Sequence, residues 1–323
     1  MMKLLIEKKP MRVARVFDIH NCGPGNRFVA NGKLVHNSGG DKINLQNLPR
    51  GGTLRKSITA PKGYVIVACD SSQIEARTVG WLAGQEDLTL AFKEGQDIYS
   101  LFASDVYGRP VDKNSDPQAR HVGKTAILGL GYGMSAPKFQ LTLKNGKPPM
   151  DLEDAECQRV VELYRRKYFM IPRLWRECQA LLIAMYEGRE YSIKDGLVTS
   201  TTDGRLRLPN GLYLNYPGLK SEDGRNFSYK QRHETIKVYG AKITENIVQA
   251  LARIIVFDQM RAISKRYKVV LTVHDEVCIV APEQEAEEAK AFMVHEMSVP
   301  PSWCTDLPVS CEAAYGKTYG DCK

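Results

Sequence analysis

The stretch that most constrains the fold is residues 268–280, Lys-Val-Val-Leu-Thr-Val-His-Asp-Glu-Val-Cys-Ile-Val. Two β-branched runs flank His274-Asp275-Glu276, and such runs favour buried strands. Two adjacent carboxylates between buried strands are costly unless a cation or hydrogen-bond donors compensate them. The same device occurs earlier, where Tyr64-Val65-Ile66-Val67-Ala68-Cys69 runs directly into Asp70. Two apolar strands that each end in acid suggest one metal site built from two strand ends, with the fold required to close it.

Composition narrows the class. A chain of 323 residues suggests two or three units. No apolar run reaches the roughly 18 residues that span a bilayer, and the N-terminus lacks a signal-peptide cleavage pattern, so a cytoplasmic protein with no membrane partner is expected. The eight cysteines form no C-x-x-C pair, which favours reduced, mostly buried thiols over zinc. The net charge of +8 is unevenly placed: residues 1–37 hold +5 of it. A nucleic-acid argument must therefore rest on where individual Arg and Lys residues lie.

Residues 1–37 read as a compact all-β segment. Val13–Ile19 and Phe28-Val29-Ala30 are short strand patterns, and Asn31-Gly32 is a hairpin signal before Leu34-Val35. The string VFDIHNCGPGNRFVANGKLVHNS resembles the C-terminal piece of an intein. The residue types suit that chemistry: the Asn37 amide attacks its own carbonyl, His36 polarises that carbonyl or protonates the leaving amine, and the Ser38 hydroxyl accepts the upstream acyl chain. Asp18 stands where such inteins carry an acid; Asn26-Arg27-Phe28 departs from the His often found there. With no nucleophile block upstream of Met1, the resemblance implies the C-terminal half of a split intein whose other half is a separate chain.

The remaining chain changes character. Asn44-Leu45-Gln46-Asn47-Leu48-Pro49-Arg50, followed by Leu54-Arg55-Lys56, reads either as a polar loop or as amides reaching base edges in a minor groove. Asp70 is followed by a helical pattern through Ile74, Arg77 and Trp81, so it is either a helix N-cap or a cation ligand. Over 115–133 a helix is expected, opened by the capping box Ser115-x-x-Gln118. Arg120, Lys124, Leu128 and Tyr132 recur every fourth residue on it. That order matches either a solvated basic stripe or a nucleoside triphosphate lying along the helix, phosphates on the cations, sugar on Leu128 and base on Tyr132. Helices are expected over 151–190 and 240–264, the latter carrying Asn246, Gln249 and Arg253 on one face as a duplex edge or as polar surface. A β-hairpin is expected over 196–220.

Together, residues 38–323 resemble the palm and fingers of the family A DNA polymerases, especially the phage branch. DSSQIEAR is similar to the family's first carboxylate motif, RHVGKTAILGLGYG to its fingers helix and VHDEV to its second carboxylate motif; NLQNLPR and YGAKITENIVQALAR are similar to its primer–template contacts. The resemblance implies an α+β fold, an antiparallel palm sheet with helical fingers, preceded by the small Hint-type segment. The implied division is 1–37 for the intein segment, 38–80 for the first part of the palm, 81–235 for fingers with a β-hairpin insertion and 236–323 for the second part of the palm.

It also implies roles. Asp70, the Ser71 position, Asp275 and Glu276 surround two Mg²⁺ ions. Arg120 and Lys124 neutralise a deoxynucleoside triphosphate, with Gln73, Leu128 and Tyr132 in the same site and Glu75 crowding the sugar 2′ position. Asn44, Gln46, Asn47, Arg55, Arg77, Gly133, Asn246, Gln249 and His274 contact primer–template DNA. Ser71 stands where an aromatic often follows the first Asp, and Leu128 where the family usually has Phe or Tyr. The family's thumb precedes this region, so the expected partner is an N-terminal half joined at Ser38 by splicing. Two competing readings are an inactive nucleic-acid-binding fragment and another two-metal phosphoryl-transfer enzyme.

Overall fold

The computed structural model describes residues 27–30, 33–36, 53–231 and 234–322. The expected hairpin is present there: strands β1 (Arg27–Ala30) and β2 (Lys33–His36) pair antiparallel with Ala30 opposite Lys33. The expected strand at 13–19 lies outside the described residues, as do Asp18, Asn37, Ser38, Asn44, Gln46 and Asn47; of His36 only the strand is described. The elements that follow are α1 (Thr53–Lys56), β3 (Tyr64–Ser71), α2 (Ile74–Ala83), α3 (Glu86–Lys93), α4 (Ile98–Tyr107), α5 (Pro117–Leu130), α6 (Ala136–Lys144), α7 (Asp154–Lys167) and α8 (Met170–Tyr186). After them come β4 (Tyr191–Ile193), β5 (Val198–Ser200), β6 (Arg205–Arg207), β7 (Tyr213–Asn215), β8 (Lys220–Ser221), β9 (Phe227–Gln231), β10 (Glu234–Val238), α9 (Gly240–Ile263), β11 (Lys268–Val273), β12 (Glu276–Pro282), α10 (Ala286–Met297) and β13 (Cys311–Gly316).

The chain divides into two units. The first holds residues 1–72, 255–299 and 309–323; the second holds 73–254 and 300–308. The breaks thus fall at 72/73 and 254/255, and a short segment near the C-terminus belongs to the second unit.

In the first unit an antiparallel sheet has the order β11-β12-β3-β13. Its strands are apolar in both phases because both faces are covered. Val65, Val67 and Cys69 of β3 and Val277, Ile279 and Ala281 of β12 pack on one face with Val256, Ile263, Ala289, Met293 and Met297. Ile66 and Ala68 of β3 and Cys278 of β12 pack on the other with Tyr319 and Cys322. A two-residue period thus assigns these side chains of β3 and β12 to their faces.

The second unit is mainly helical. Phe102, Tyr164 and Tyr168 form an edge-packed aromatic cluster in it, with Phe102 and Tyr164 5.6 Å apart. Val122, Ala126, Ile127 and Leu130 give α5 its buried face. Gly123 lets α4 come close: a Cβ there would lie 2.1 Å from the Tyr99 carbonyl oxygen. The hairpin expected over 196–220 is larger in the structure. It comprises a four-stranded sheet β4-β5-β6-β7 and a separate three-stranded sheet β10-β9-β8. The Gly- and Pro-rich turns that mark these short strands in the sequence gave no indication of which strands pair.

Among the described residues no helix is long and apolar enough to cross a membrane. None of the seven described cysteines is joined in a disulfide, and six of them are buried.

Candidate active site

In the first unit the acids converge as the strand pattern requires. Strand β3 continues through Asp70 to Ser71, and helix α2 begins at Ile74 with Gln73, not Asp70, in the capping position. The alternative of Asp70 as a helix N-cap is therefore removed. Glu276 stands directly opposite Asp70 across the β12–β3 ladder, and Glu312 opposite Asp70 on β13. The backbone N–H of Ser71 donates to the Asp275 carbonyl at 3.1 Å, which fastens the strand end to the β11–β12 turn. That turn is tight enough to place His274 at φ 55°, the left-handed region.

Burial separates the carboxylates. Asp70 and Asp275 are half-buried, whereas Glu276 is 1 % exposed. Glu276 shares the sheet face of Ile66 and Ala68 and accepts a hydrogen bond from the Tyr319 phenol on that face. The Cys278 thiol also points to it at 3.7 Å. Burial and the Glu276 carboxylate both push the Tyr319 phenol well above its ordinary range, so it stays a donor. Both donors meet the same carboxylate oxygen, Oε1, and supply part of the compensation that the buried acid requires. Arg55 packs over the Tyr319 ring, 4.9 Å from its centroid, and is itself buried. It therefore closes the core behind Glu276 instead of standing at the surface as a DNA contact.

Among the described residues no three His, Cys, Asp or Glu side chains are arranged as a metal cluster. The donor set at the strand ends is nevertheless of the right kind for a hard cation: carboxylate oxygens of Asp70 and Asp275 and main-chain carbonyls, with no thiol or imidazole required. Ser71 is buried, and its hydroxyl has no hydrogen-bond partner among the described residues.

In the second unit α5 starts one residue later than the capping-box reading implies. Its N-cap is Asp116, whose side chain makes no cap bond and instead pairs with Arg109 at 2.8 Å; Ser115 donates to Asp116. Arg120, Lys124 and Leu128 lie on α5, and Lys124 and Leu128 are exposed. Helix α5 ends at Leu130, so Tyr132 and Gly133 lie in the turn beyond it, Gly133 at φ 76°. The fourfold spacing thus breaks before its last member. Tyr132 is placed by another contact: its hydroxyl meets a Glu75 carboxylate oxygen at 3.3 Å. Burial first, and the Glu75 charge second, push the Tyr132 phenol well above its usual range.

Arg120 is engaged. Its Nε donates to Asp97 Oδ2 at 2.6 Å and its Nη2 to Asp97 Oδ1 at 3.1 Å. Gln73, at φ 54°, hydrogen-bonds the Tyr99 phenol beneath the same guanidinium. Arg77 is buried at 7 % exposure, donates to the Phe92 and Pro308 carbonyls and lies 4.6 Å from the Phe92 ring centroid. Desolvation lowers its guanidinium pKa. It packs the second unit and presents no surface to DNA. Asn246 donates to the Tyr216 hydroxyl at 3.0 Å, while Gln249 is exposed.

Three participants escaped the sequence reading. Asp97 was signalled only by the Asp-x-x-Ser pattern of a helix cap, Tyr99 by nothing local, and Tyr319 only as an aromatic near the end of the chain. Each acts through a partner distant in sequence.

A family model described as DNA polymerase family A matches residues 29–321. The DNA polymerase of Bacillus phage SP02 is 30% identical over 275 residues, covering 80% of this chain and 42% of that protein. The thermostable DNA polymerase I of Thermus thermophilus is 30% identical over 280 residues, covering 85% of this chain and 30% of that protein. The chain thus spans less than half the length of these relatives. Among solved structures, the POL domain of Pol1 from M. smegmatis in complex with DNA primer-template and dNTP aligns with a TM-score of 0.61, over 87% of this chain and 45% of that one, at 21% identity. That likeness establishes a shared fold.

Proposed function

Because this chain belongs to DNA polymerase family A, we propose that it carries out template-directed transfer of a deoxynucleotide from its triphosphate to a primer 3′ hydroxyl. The observation that carries this reading is the meeting of two half-buried acids at one sheet end, Asp70 on β3 and Asp275 on the turn fastened to it by the Ser71–Asp275 bond. In this reading Asp70 and Asp275 hold two Mg²⁺ ions, with the Ser71 position and Glu276 beside them. Bound there, Mg²⁺ would lower the pKa of the primer hydroxyl and steady the charge that develops on the α-phosphate. Glu276, held by Tyr319, backs Asp70 from across the β12–β3 ladder.

On α5, Arg120 and Lys124 bind the triphosphate; exposed Lys124 is also placed to give a proton to the departing pyrophosphate. Leu128 takes the sugar's neighbourhood, and the Glu75–Tyr132 contact fixes a carboxylate against a 2′ hydroxyl. His274, at the strained turn, meets the primer end, and Gly133, Asn246 and Gln249 meet the duplex. Asn44, Gln46 and Asn47 are assigned to the same duplex on their motif alone. Incorporation of a labelled deoxynucleotide that needs primer, template and Mg²⁺ together tests the reading. Release of phosphate without template would instead favour another two-metal enzyme.

The finer proposal concerns the N-terminal segment. Residues 1–37 excise themselves by cyclisation of Asn37, assisted by His36 and Asp18, as Ser38 takes up a separately encoded N-terminal half. Its support is the 16–38 string and the hairpin over 27–36, while the family match already begins at residue 29. Mixing this chain with a candidate N-terminal half should give, by mass spectrometry, a ligated product whose new sequence begins at Ser38. Asn37→Ala should abolish it; ligation that survives this change rules the splicing proposal out.

A further inference from the structure

Arg120, assigned to the triphosphate in the polymerase reading, is held by side chains at the start of α4. Asp97 caps α4, accepting from the Tyr99 backbone N–H at 3.3 Å and the Ser100 hydroxyl at 2.7 Å. The same carboxylate takes both Nε and Nη2 of Arg120. The guanidinium lies over the Tyr99 ring, 5.2 Å from its centroid, and Tyr99 is buried and tied to Gln73. Gly123, one turn on from Arg120, permits the backbone approach of α4 and α5 that brings these groups together.

A guanidinium has five N–H donors in a rigid fork. Asp97 occupies the edge formed by Nε and Nη2, which leaves the Nη1–Nη2 edge for a second two-point contact. The Arg120 side chain as a whole keeps 21% of its surface exposed, and neither printed bond to Asp97 uses Nη1. Phosphate oxygens are the partners such an edge fits best. The carboxylate also offsets the formal charge of Arg120, so the uncompensated positive charge on this face of α5 is that of Lys124.

We infer that Asp97 is a positioning residue for the nucleotide: it locks Arg120 so that the free guanidinium edge meets the triphosphate without further ordering. The inference rests on the polymerase reading of α5. Two effects of removing Asp97 oppose each other. Loss of its negative charge would strengthen phosphate binding, and loss of orientation would weaken it. A long side chain that must be ordered on binding weakens affinity by up to about tenfold. The surviving cation–π contact fixes where the guanidinium sits but not its rotation, so orientation is the larger effect.

Asp97→Ser separates the clamp from the cap, because serine caps a helix well but cannot bind both guanidinium nitrogens. Asp97→Asn, also a good cap, keeps one acceptor and is the second variant should the first fold poorly. The measurement is titration of the full chain with a fluorescent Mg²⁺-deoxynucleoside triphosphate, with inorganic triphosphate as competitor. Asp97→Ser should melt within a few degrees of the unaltered chain and bind both probes about tenfold more weakly. Asp97→Asn should fall between the two. In an Arg120→Ala background Asp97→Ser should cause no further loss, since it acts through Arg120. Unchanged affinity in Asp97→Ser, or losses that add to those of Arg120→Ala, overturns the inference while leaving the polymerase reading intact. An unaltered chain that binds no triphosphate, or a Lys124→Ala change without effect, removes the nucleotide reading of α5 and the clamp with it.

Discussion

At the residue scale, the site depends on how each charge is compensated. Glu276 is tolerated in the core because a phenol with a raised pKa donates to it. Asp97 shows the opposite balance. Burial alone would raise its pKa, but hydrogen bonds from Arg120 and Ser100 and the charge of Arg120 outweigh burial and hold it below the ordinary carboxylate range. A carboxyl whose folded pKa lies below its unfolded value stabilises the fold at pH values above the unfolded one, about 3.9. That contribution is lost as pH falls from there through the lowered folded value. Acid unfolding followed by circular dichroism should therefore show Asp97→Ser losing less stability than the unaltered chain as pH falls below about 4. Equal losses would mean that the pair adds nothing to stability. Neither partner of these pairs announces the other in sequence: Glu276 and Tyr319 are 43 residues apart, and Asp97 and Arg120 23.

At the element scale, close approach of helix backbones sets the geometry. Alanine at Gly123 would place its Cβ 2.1 Å from the Tyr99 carbonyl, and at Gly240 2.0 Å from the Trp175 carbonyl. Backbone atoms cannot step aside as a flexible side chain can, so Gly123→Ala should destabilise by at least about 1–3 kcal/mol. A fall in melting temperature checks this, and an unchanged melt would show that α4 and α5 shift freely. The elements themselves were largely legible. Period-two burial on both faces made β3 and β12 readable from Val65–Cys69 and Val277–Ala281, and the helix over 240–263 agrees with its apolar pattern. Helix ends were less so. Asp116 pairs with Arg109, a contact outside the local pattern, and Ser115 never caps. The turn at Gly131–Gly133 ends α5 before Tyr132, because three glycines in five positions weaken the helix that the fourfold spacing assumes. Arg55 and Arg77 were expected as DNA contacts from the resemblance, since sequence alone does not reveal that they pack over Tyr319 and Phe92.

At the scale of the whole molecule, the chain belongs to DNA polymerase family A and spans less than half of the relatives it resembles. The acids were readable because an apolar strand ending in Asp is conspicuous on both sides of the site. What they are expected to act on rests only on motifs in a fixed order, since spacing on α5 suits a solvated stripe equally well. The most direct test is template-directed incorporation of one labelled deoxynucleotide, in Mg²⁺, by the product ligated at Ser38 and by its Asp70→Ala and Asp275→Ala variants. Loss of a carboxylate that holds the catalytic metals removes stabilisation of the transition state, and the expected fall is on the order of a thousandfold or more in each variant. Incorporation of the template's complement by the unaltered protein, abolished by either change, is the predicted result. Incorporation that persists at its full rate in either variant would contradict the assignment of Asp70 and Asp275 as the centre of the reaction.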